Sequence, residues 1–382
     1  MASVNKTILA APSVFLALSI AALVGLAPLA GAARYDAAAP SEIAINRGVV
    51  ELETGRASGI SVRIAEDLAN VIDDGATRRV LPVVGEGALQ NIADLDLLHG
   101  IDMAILQDDV LDYARQQNLY PGLENRITYI AKLYNEEFHL LARRDIRTVA
   151  DLANQKVNVD LRGAGTAITA ERLFGLLHVP IVATNDDQEV ALAKLRRGEI
   201  AALAFVAGKP APLFRGLDGR DGLHFLAIPI DAVASVYVPT SLSAADYPGL
   251  VPPGHPVDTV AVGAVLAVAN LQPDSERYKN VVNFVDAFFT DFQSLLTPGH
   301  DPKWREVNIA AELPGWHRFP PAADWLSRNA QVTSVPSEQD LKAIFARFID
   351  ERQQASGAAP LTQQQKDQLF GQFEEWQKGQ AR

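Results

Sequence analysis

Hydrophobic and polar positions repeat one order of elements along two separate stretches of the chain. In residues 47–107, a short β-prone run leads through a Gly-rich turn into a helical stripe, a second strand, a second helix and a third strand. Residues 156–207 show the same order. The first helical stripe has apolar side chains three or four positions apart, which is the spacing of one helix face. Its apolar residues are Ile60, Ile64, Leu68 and Val71.

This order predicts two βαβαβ units, which imply two parallel sheets with helices on their faces. The strands predicted in the first unit span residues 49–52, 80–84 and 101–106, and the helices span 60–72 and 88–98. In the second unit, the predicted strands span 157–159, a run beginning at 181, and 200–206, and the helices span 167–177 and 188–197. Gly198 follows the last of these helices, where a C-terminal capping glycine is expected.

Two further apolar runs, residues 138–142 and 260–269, lie outside the repeated units. One strand leaving the first lobe and one strand returning to it would form a two-strand hinge. The helical pattern at residues 278–296 then belongs with the first lobe. The predicted fold class is therefore α/β, with two βαβ lobes and a hinge. We define lobe 1 as residues 33–140 and 260–335 and lobe 2 as residues 141–259.

The N-terminus has the pattern of a secretory signal. Lys6 is the only charge among residues 1–32, an uncharged run follows it, and Ala30-Gly31-Ala32 has the small-x-small pattern of a cleavage site. The alternative is an uncleaved membrane anchor, because the uncharged run is long enough to span a bilayer. Pro28 shortens the helix, so we expect a cleaved signal peptide of residues 1–32 and a periplasmic protein.

Residues 336–382 form a C-terminal extension for which two amphipathic helices are predicted. The helices span 337–354 and 362–377, and each begins with a capping-box pattern. The two patterns are Ser337 with Asp340 and Thr362 with Gln365. Aromatic stripes at helical spacing more often pack on the protein body or on each other than contact a partner.

Charge and composition narrow the classes of function. The 34 Lys and Arg residues, one of them Lys6, stand against 46 Asp and Glu, so the chain without its signal carries a net charge of −13. This acidic balance argues against nucleic acid or an anionic membrane as a partner. Because the chain has no cysteine, disulfides, thiol nucleophiles and Cys-ligated metals are excluded.

No catalytic, metal or cofactor motif stands out. The seven histidines are scattered singly, and none forms a metal-ligand pair. Gly208-Lys209 is followed by proline, so it is not a phosphate-binding loop, and Gly163-x-Gly165 lacks the third glycine of a dinucleotide fingerprint. Asp108 and Asp109 follow a predicted strand, where such a pair more often caps the next helix than performs acid/base chemistry. We therefore predict no catalytic residue, no metal and no cofactor.

Binding chemistry remains. Each predicted unit carries a Gly-rich loop before its first helix, residues 54–59 and 162–166, where backbone N–H groups favour an anionic group such as a carboxylate. Thr54, Ser58 and Thr166 add hydroxyls. Arg162 could hold a carboxylate by two parallel hydrogen bonds, and Lys209 follows the matching strand of lobe 2. The alternative for Arg162 and Lys209 is a solvated surface charge.

With these residues in place, the chain resembles the TAXI class of solute receptors for TRAP transporters, which are tripartite ion-driven uptake systems. The stretches that carry the resemblance are Thr54-Gly55-x-x-x-Gly59, residues 100–110, residues 139–143 with 149–152, residues 157–159 with 163–172, and Tyr247-Pro248-Gly249 leading into residues 260–268. A weaker match is residues 316–319. Together they cover about residues 47–330.

The resemblance implies a periplasmic-binding-protein fold with a hinged cleft. It also implies a small carboxylate solute, such as an amino acid or a C4/C5 dicarboxylate, a TRAP membrane permease as partner, and no enzymatic activity. The positions that match the family's cleft are Thr54, Gly55, Ser58, Gly59, Gln107, Gly163, Gly165 and Thr166. The chain departs from the family's usual residues at Arg56, Asp108 and Arg162.

Two alternatives remain open from the sequence. The first is a binding protein of the same fold that serves an ATP-driven importer or a sensor. The second is an enzyme on this fold, such as a periplasmic dehydratase or lyase, because fold does not determine function. An enzyme would need an acid/base pair in the cleft, which only Asp108 with Asp109, or Glu53, would offer.

Overall fold

The structure is a computed structural model that describes residues 47–57 and 59–329, together with Thr362, Gln365 and Lys366. The predicted signal peptide, Ser58, and the rest of the C-terminal extension lie outside the described residues. Thr362 and Gln365 show the predicted capping box: the Thr362 N–H donates to Gln365 Oε1 at 2.9 Å and the Gln365 N–H to Thr362 Oγ1 at 3.4 Å.

The first predicted unit forms as three strands that alternate with helices. Its elements are β1 (Val49–Thr54), α1 (Ser61–Ile72), β2 (Arg79–Val84), α2 (Ala88–Leu97), β3 (Met103–Gln107) and α3 (Asp108–Gln116). A 3-10 turn, Leu123–Asn125, then leads into the long strand β4 (Thr128–Arg143).

The second unit repeats the alternation after another 3-10 turn, Val149–Leu152. Its elements are β5 (Lys156–Asn158), α4 (Gly165–Leu176), β6 (Val182–Thr184), α5 (Gln188–Arg196) and β7 (Ala202–Ala207). Gly198 follows α5 with a φ of 73°, which confirms the predicted C-terminal glycine.

The rest of the described chain first completes lobe 2 with β8 (Leu223–Phe225) and β9 (Val238–Leu242) and then returns to lobe 1 along β10 (Val257–Val268). The helices that follow are α6 (Glu276–Thr290), α7 (Phe292–Leu295) and α8 (Pro320–Arg328). Short 3-10 turns are Pro212–Phe214, Gly219–Asp221, Ile230–Ala232 and Pro302–Glu306. The single helix predicted at residues 278–296 is interrupted at Asp291, between α6 and α7.

The ten strands of the described residues belong to one sheet. Eight of them follow the order β2-β1-β3-β10-β4-β7-β5-β6, while β8 pairs with β4 and β9 pairs with β10. β1 pairs in parallel with β2 and β3, and β5 pairs in parallel with β6 and β7. The strands β10 and β4 lie between these parallel halves and pair antiparallel to each other and to their neighbours. The predicted α/β class with two βαβ halves joined by two strands is confirmed.

The expectation of two separate parallel sheets is wrong, because the connecting strands are longer than their apolar runs. β4 has 16 residues and β10 has 12, so each runs through both halves. The β-strand character of residues 128–137 is hidden in the sequence by polar positions such as Lys132, Glu136 and Glu137. The two strands cross from one half to the other near Glu137, which faces Ala261 and Ala207.

Separate hydrophobic clusters support the two halves. In lobe 1, the first helix and the C-terminal helices bury a large aromatic cluster, which includes Phe284, Phe288 and Trp304. In lobe 2, β4 and β7 pack against α4 on one side and against Phe214 and Phe225 on the other. Each cluster supports the strand ends of its own half. No helix within the described ranges is long and apolar enough to cross a membrane.

Candidate functional site

A cavity lies between the two halves of the sheet, at the carboxyl ends of their parallel strands. The volume inside it that the centres of water molecules can occupy is about 90 Å³. Since a single water needs roughly 10–15 Å³ by this measure, the cavity suits a small solute. Its polar and Gly-rich lining comes from both lobes: Gly55, Arg56, Gly59, Ser61, Glu86, Gln107 and Glu136 from lobe 1, and Asp160, Gly165 and Thr166 from lobe 2.

Three helix N-termini converge on this cavity. Ser61 of α1, Ala88 of α2 and Gly165 of α4 all line it. In none of the three helices does the N-cap side chain cap the first turn, although the Leu89 N–H of α2 already donates to the Gly163 carbonyl. Because the first N–H groups of a helix lack partners within the helix and carry its positive dipole end, this arrangement favours an anionic group in the cavity.

The structure brings five of the predicted site residues to the cavity: Gly55, Gly59, Gln107, Gly165 and Thr166. Thr166 is buried, and its Oγ accepts a hydrogen bond from the Val206 N–H at 3.1 Å. A Cβ on Gly165 would lie 1.6 Å from Gln107 Oε1, so this glycine permits close approach of the two lobes. Ser58 lies outside the described residues.

The other predicted site residues lie elsewhere. The Thr54 hydroxyl is buried and donates to the main-chain carbonyls of Gly55 and Val83. Arg162 and Gly163 do not line the cavity. They line a larger pocket of about 760 Å³ by the same measure, formed mostly by lobe 2 together with Leu89 and Tyr113 of lobe 1. The Lys209 ammonium donates to the Ser241 carbonyl at 2.6 Å and does not line the cavity.

Four charged residues line the cavity that the sequence interpretation did not select for the site. Arg56 and Glu86 form an ion pair at 2.7 Å on the partly exposed rim. Glu136 and Asp160 are 8% and 7% exposed. Asp160 directly follows β5, so its position at a strand end was a signal that could have found it. Glu136 lies in the middle of β4, where the sequence offers no such signal.

Glu136 and Gln107 form the polar floor of the cavity. Gln107 Nε2 donates to Glu136 Oε2 at 2.6 Å, and the Tyr134 hydroxyl donates to Glu136 Oε1 at 3.4 Å. The other polar atom of the Gln107 side chain, Oε1, is buried and has no hydrogen-bond partner among the described residues. Burial raises the pKa of the Glu136 carboxyl to about 7.

The next residue, Glu137, belongs to a different cluster. Successive side chains of a strand point to opposite faces. Both Glu137 oxygens accept from the Lys303 ammonium, at 2.8 and 3.1 Å, and Glu137 Oε2 also accepts from the Lys209 N–H at 2.8 Å. Lys303 is 3% exposed and also pairs with Glu306 at 2.9 Å. This cluster ties the crossing point of β4 to both lobes.

Direct hydrogen bonds join the lobes beside the cavity. The Thr169 hydroxyl on α4 donates to Asp109 Oδ2 on α3 at 2.7 Å, and Arg172 donates to the Asp109 carbonyl at 3.1 Å. The Leu89 N–H donates to the Gly163 carbonyl at 3.3 Å. The structure therefore has the lobes in contact, in a closed arrangement.

The acidic residues that the enzyme alternative named lie outside the cavity lining. Asp108 and Asp109 occupy the first turn of α3, so the expectation that they cap a helix starting near Val110 is wrong. Asp108 pairs with Lys132 at 3.4 Å and accepts from the Gly263 N–H. Burial raises the pKa of Glu53 to about 7. Within the described ranges, no group of three or more His, Asp or Glu could hold a metal ion.

The buried histidine of β4 has a structural role. The Tyr247 hydroxyl accepts from the Ala211 N–H at 2.7 Å and lies 2.6 Å from His139 Nε2, so it donates to that nitrogen. The protonated Nδ1 then donates to the Phe205 carbonyl at 3.2 Å. Burial lowers the pKa of His139 to about 3, which keeps the ring neutral.

The paired α/β halves, the two antiparallel strands between them and the cavity at their strand ends define a periplasmic-binding-protein-like α/β protein. Residues 52–288 match the profile of the NMT1-like family. This match spans more than half of the chain, and the protein belongs to the NMT1-like family.

Several solved structures are similar to this chain. A TctC solute binding protein from Polaromonas is 16% identical, with a TM-score of 0.39, and the match covers 64% of this chain and 88% of that one. A substrate binding protein of an ABC uptake transporter from Streptococcus pneumoniae with bound histidine is 13% identical, with a TM-score of 0.41 and coverages of 65% and 91%. The periplasmic aliphatic sulphonate binding protein of Escherichia coli is 17% identical, with a TM-score of 0.38 and coverages of 74% and 88%.

Proposed function

We propose that this protein is an extracytoplasmic solute-binding protein that captures a small carboxylate in the cavity between its lobes. The solute is an amino acid or a C4/C5 dicarboxylate. One observation carries the proposal: three helix N-termini without side-chain caps meet at a cavity that both lobes line. An anion placed there accepts hydrogen bonds from main-chain N–H groups and neutralises the helix dipoles.

Among the residues that line the cavity, Arg56 is the cation that could bind the solute carboxylate. It lines the cavity and is held by Glu86 on an exposed rim, where an ion pair contributes little stability. A solute carboxylate would compete with Glu86 for the same guanidinium. The proposed contacts are therefore the loop around Gly55 and Gly59, the start of α4 at Gly165 and Thr166, and Arg56.

We further propose that the solute is delivered to a TRAP-type membrane permease. The secretory pattern of residues 1–32 and the resemblance to TAXI receptors support export and this partner. The alternative is delivery to an ATP-driven importer or a sensor. Uptake of a radiolabelled solute by cells that depends on this protein should stop when an ionophore collapses the ion gradient. Uptake that continues until ATP is depleted would favour the ATP-driven importer.

An enzyme on this fold would now depend on Glu136, because it is a buried carboxyl in the cavity with a pKa raised by burial to about 7. Such a group is suited to general acid or base chemistry at neutral pH. Incubation of the protein with each bound carboxylate, followed by mass analysis, separates the two functions. A binding protein returns every solute with its mass unchanged.

Binding itself is tested by a thermal-shift screen of amino acids and small dicarboxylates, followed by calorimetry. A solute present at 100 times its Kd should stabilise the protein by about 2.7 kcal/mol, which raises the melting temperature. The proposal is contradicted if no carboxylate in the panel stabilises the protein while solutes without a carboxylate do so.

A further inference from the structure

The floor of the cavity contains hydrogen-bond acceptors that lack matching donors. Glu136 receives hydrogen bonds only from Gln107 and Tyr134, which are both neutral, and no described Lys, Arg or His forms an ion pair with it. A carboxylate that is 8% exposed and has no ion-pair partner among the described residues is costly to ionise, and the Lys303 ammonium, which pairs with Glu137, favours its charge only from beyond ion-pair distance. A positively charged group from outside the chain would remove this cost.

The Gln107 side chain also lacks a hydrogen-bond donor that a bound solute could supply. Its Nε2 is used by Glu136, and its Oε1 is buried without a partner, facing the start of α4 at Gly165. Leaving a buried acceptor unsatisfied costs free energy that a donor from a bound solute would recover. The unpartnered oxygen and the unpaired carboxylate belong to neighbouring side chains, so one donor group could satisfy both.

The charged side chains that line the cavity also favour a positively charged group in the solute. Arg56 and Glu86 neutralise each other at the rim, whereas Glu136 and Asp160 add two carboxyl groups with no cation paired to either among the described residues. The Asp160 Oδ1 accepts from the N–H of the next residue, Leu161, at 2.7 Å, and the Gln188 side chain and the Arg56 charge partly offset the cost of burying this carboxyl. A cavity with this balance opposes a solute with two carboxylates, because one of them would face Glu136 or Asp160.

We propose that the solute carries an ammonium group, which Glu136 and Gln107 Oε1 bind, and has no net negative charge. This inference rests on the proposed function and narrows it: the helix N-termini hold the carboxylate, and the acidic floor holds the amine. The substrate class is then a neutral or basic amino acid, and dicarboxylates are excluded.

A pH dependence follows from the same arrangement. Burial raises the pKa of Glu136 to about 7, so the empty protein holds this carboxyl protonated below that pH. An ammonium group requires the ionised form, and binding therefore releases a proton. The affinity rises as the pH increases from 5.5 to 7.5, whereas a dicarboxylate would bind more weakly over the same range.

Other groups around Glu136 must be considered in reading that profile. Those that face it or act on its charge are Gln107, Tyr134, Glu137, Lys303 and Asp109, with Arg56 and Asp160 also lining the cavity. Burial also raises the pKa of Asp160. The variant Glu136→Gln identifies the part of the profile that belongs to Glu136, because it should bind amino acids with little change between these two pH values.

The experiment compares solutes of matched carbon skeleton with and without the amine. The probes for calorimetry are L-leucine against 4-methylpentanoate, L-lysine against 6-aminohexanoate, L-glutamate against glutarate, and putrescine as an amine without a carboxylate. We expect a neutral or basic amino acid to bind on the order of 10- to 100-fold more tightly than its deaminated analogue, the range expected for a hydrogen bond to a charged group. Glu136→Gln should remove most of this difference.

The matched control is Glu66→Gln, which makes the same chemical change on an exposed side chain of α1 that pairs only weakly, at 3.8 Å. It should leave the affinities unchanged. If Glu136→Gln does not fold, the pH profile of the natural protein with the tightest amino acid still tests the proposal.

The outcomes separate this inference from the proposed function. Equal binding of deaminated carboxylates overturns the ammonium site and leaves carboxylate binding intact. Binding of putrescine without any carboxylate overturns carboxylate binding and supports the ammonium contact. Binding of no probe overturns both.

Discussion

Two adjacent residues of β4, Glu136 and Glu137, have similar burial and different surroundings. They are 8% and 2% exposed. Glu137 accepts from the ammonium of Lys303 with both oxygens and from the Lys209 N–H, so a cation of the chain pairs with its charge, although burial still raises its pKa. Among the described residues, Glu136 accepts hydrogen bonds from neutral donors alone, and it faces the cavity.

The difference shows how one strand serves two purposes. The face that carries Glu137 holds the lobes together at the point where β4 crosses between them. The opposite face carries Glu136, a carboxylate that has no ion-pair partner among the described residues. A buried carboxylate that has its cation within the chain, as Glu137 does, belongs to the folded structure. A buried carboxylate without such a partner, as at Glu136, is consistent with binding a positively charged group of a solute. The variants below test this contrast, from the largest expected effect to the smallest.

Removing the Lys303 ammonium, which pairs with Glu137, should have the largest effect, measured as a loss of unfolding free energy. Lys303→Met leaves Glu137 buried without its ammonium partner, and breaking such a pair costs about 3–5 kcal/mol of unfolding free energy. Guanidinium unfolding measures the loss. The control is Lys279→Met, whose exposed pair with Glu276 should contribute at most ~1 kcal/mol. Similar losses for both variants would contradict the contrast.

Filling the space beside Gln107 and Glu136 should weaken solute binding. Gly165→Ala places a Cβ on Gln107 Oε1 and displaces the side chain that holds Glu136. Overpacking of this kind costs about 1–3 kcal/mol, and we expect that loss in calorimetry with the tightest amino acid of the panel.

Gly175→Ala is the matched control for that variant. It lies in the same helix, with nothing within 4 Å of an added Cβ. It should stabilise the protein by about 0.5–1 kcal/mol and leave binding unchanged. Unchanged binding in Gly165→Ala would mean that the lobes do not approach each other at this point when solute is bound.

Loosening the contact between the lobes should shift the protein toward an open form. Thr169→Val removes the hydroxyl that donates to Asp109 Oδ2, at a cost of about 1 kcal/mol to the closed form alone. Small-angle scattering of the solute-free variant should give a larger radius of gyration than the natural protein, and saturating solute should compact both. The control is Thr290→Val at the exposed end of α6. No expansion of Thr169→Val relative to this control would contradict a hinge at β4 and β10.

The smallest effect is expected at Arg162. Its side chain lines the larger pocket, which is formed mostly by lobe 2 and lies outside the cavity. Arg162→Met should change carboxylate affinity by less than about 0.5 kcal/mol. Arg56→Met should weaken it by about 1.5–3 kcal/mol if the guanidinium binds the carboxylate. Calorimetry that shows the reverse order would return Arg162 to the site.

How much of the site was accessible from the sequence can be seen residue by residue. Gly55, Gly59, Gly165 and Thr166 were found because they lie in Gly-rich loops that follow strands, and parallel strands place these at one edge of a sheet. Gln107 was found through the resemblance to TAXI receptors. Asp160 carried the same signal and was overlooked. Glu136 had no such signal, because a polar residue inside a strand does not indicate which neighbours it meets.

The sequence by itself determined the two βαβ halves, the two connecting strands and most of the loops that meet at the cavity. These depend on local periodicity, turn residues and the C-terminal edge of parallel strands, which are short-range properties. Only the tertiary structure decided that Lys303 pairs with Glu137, 166 positions away, and that Glu136 forms no ion pair with any described residue. It also decided that Arg162 and Lys209 lie away from the cavity. Charge pairing is set by which distant segments pack together, and spacing along the chain does not encode it.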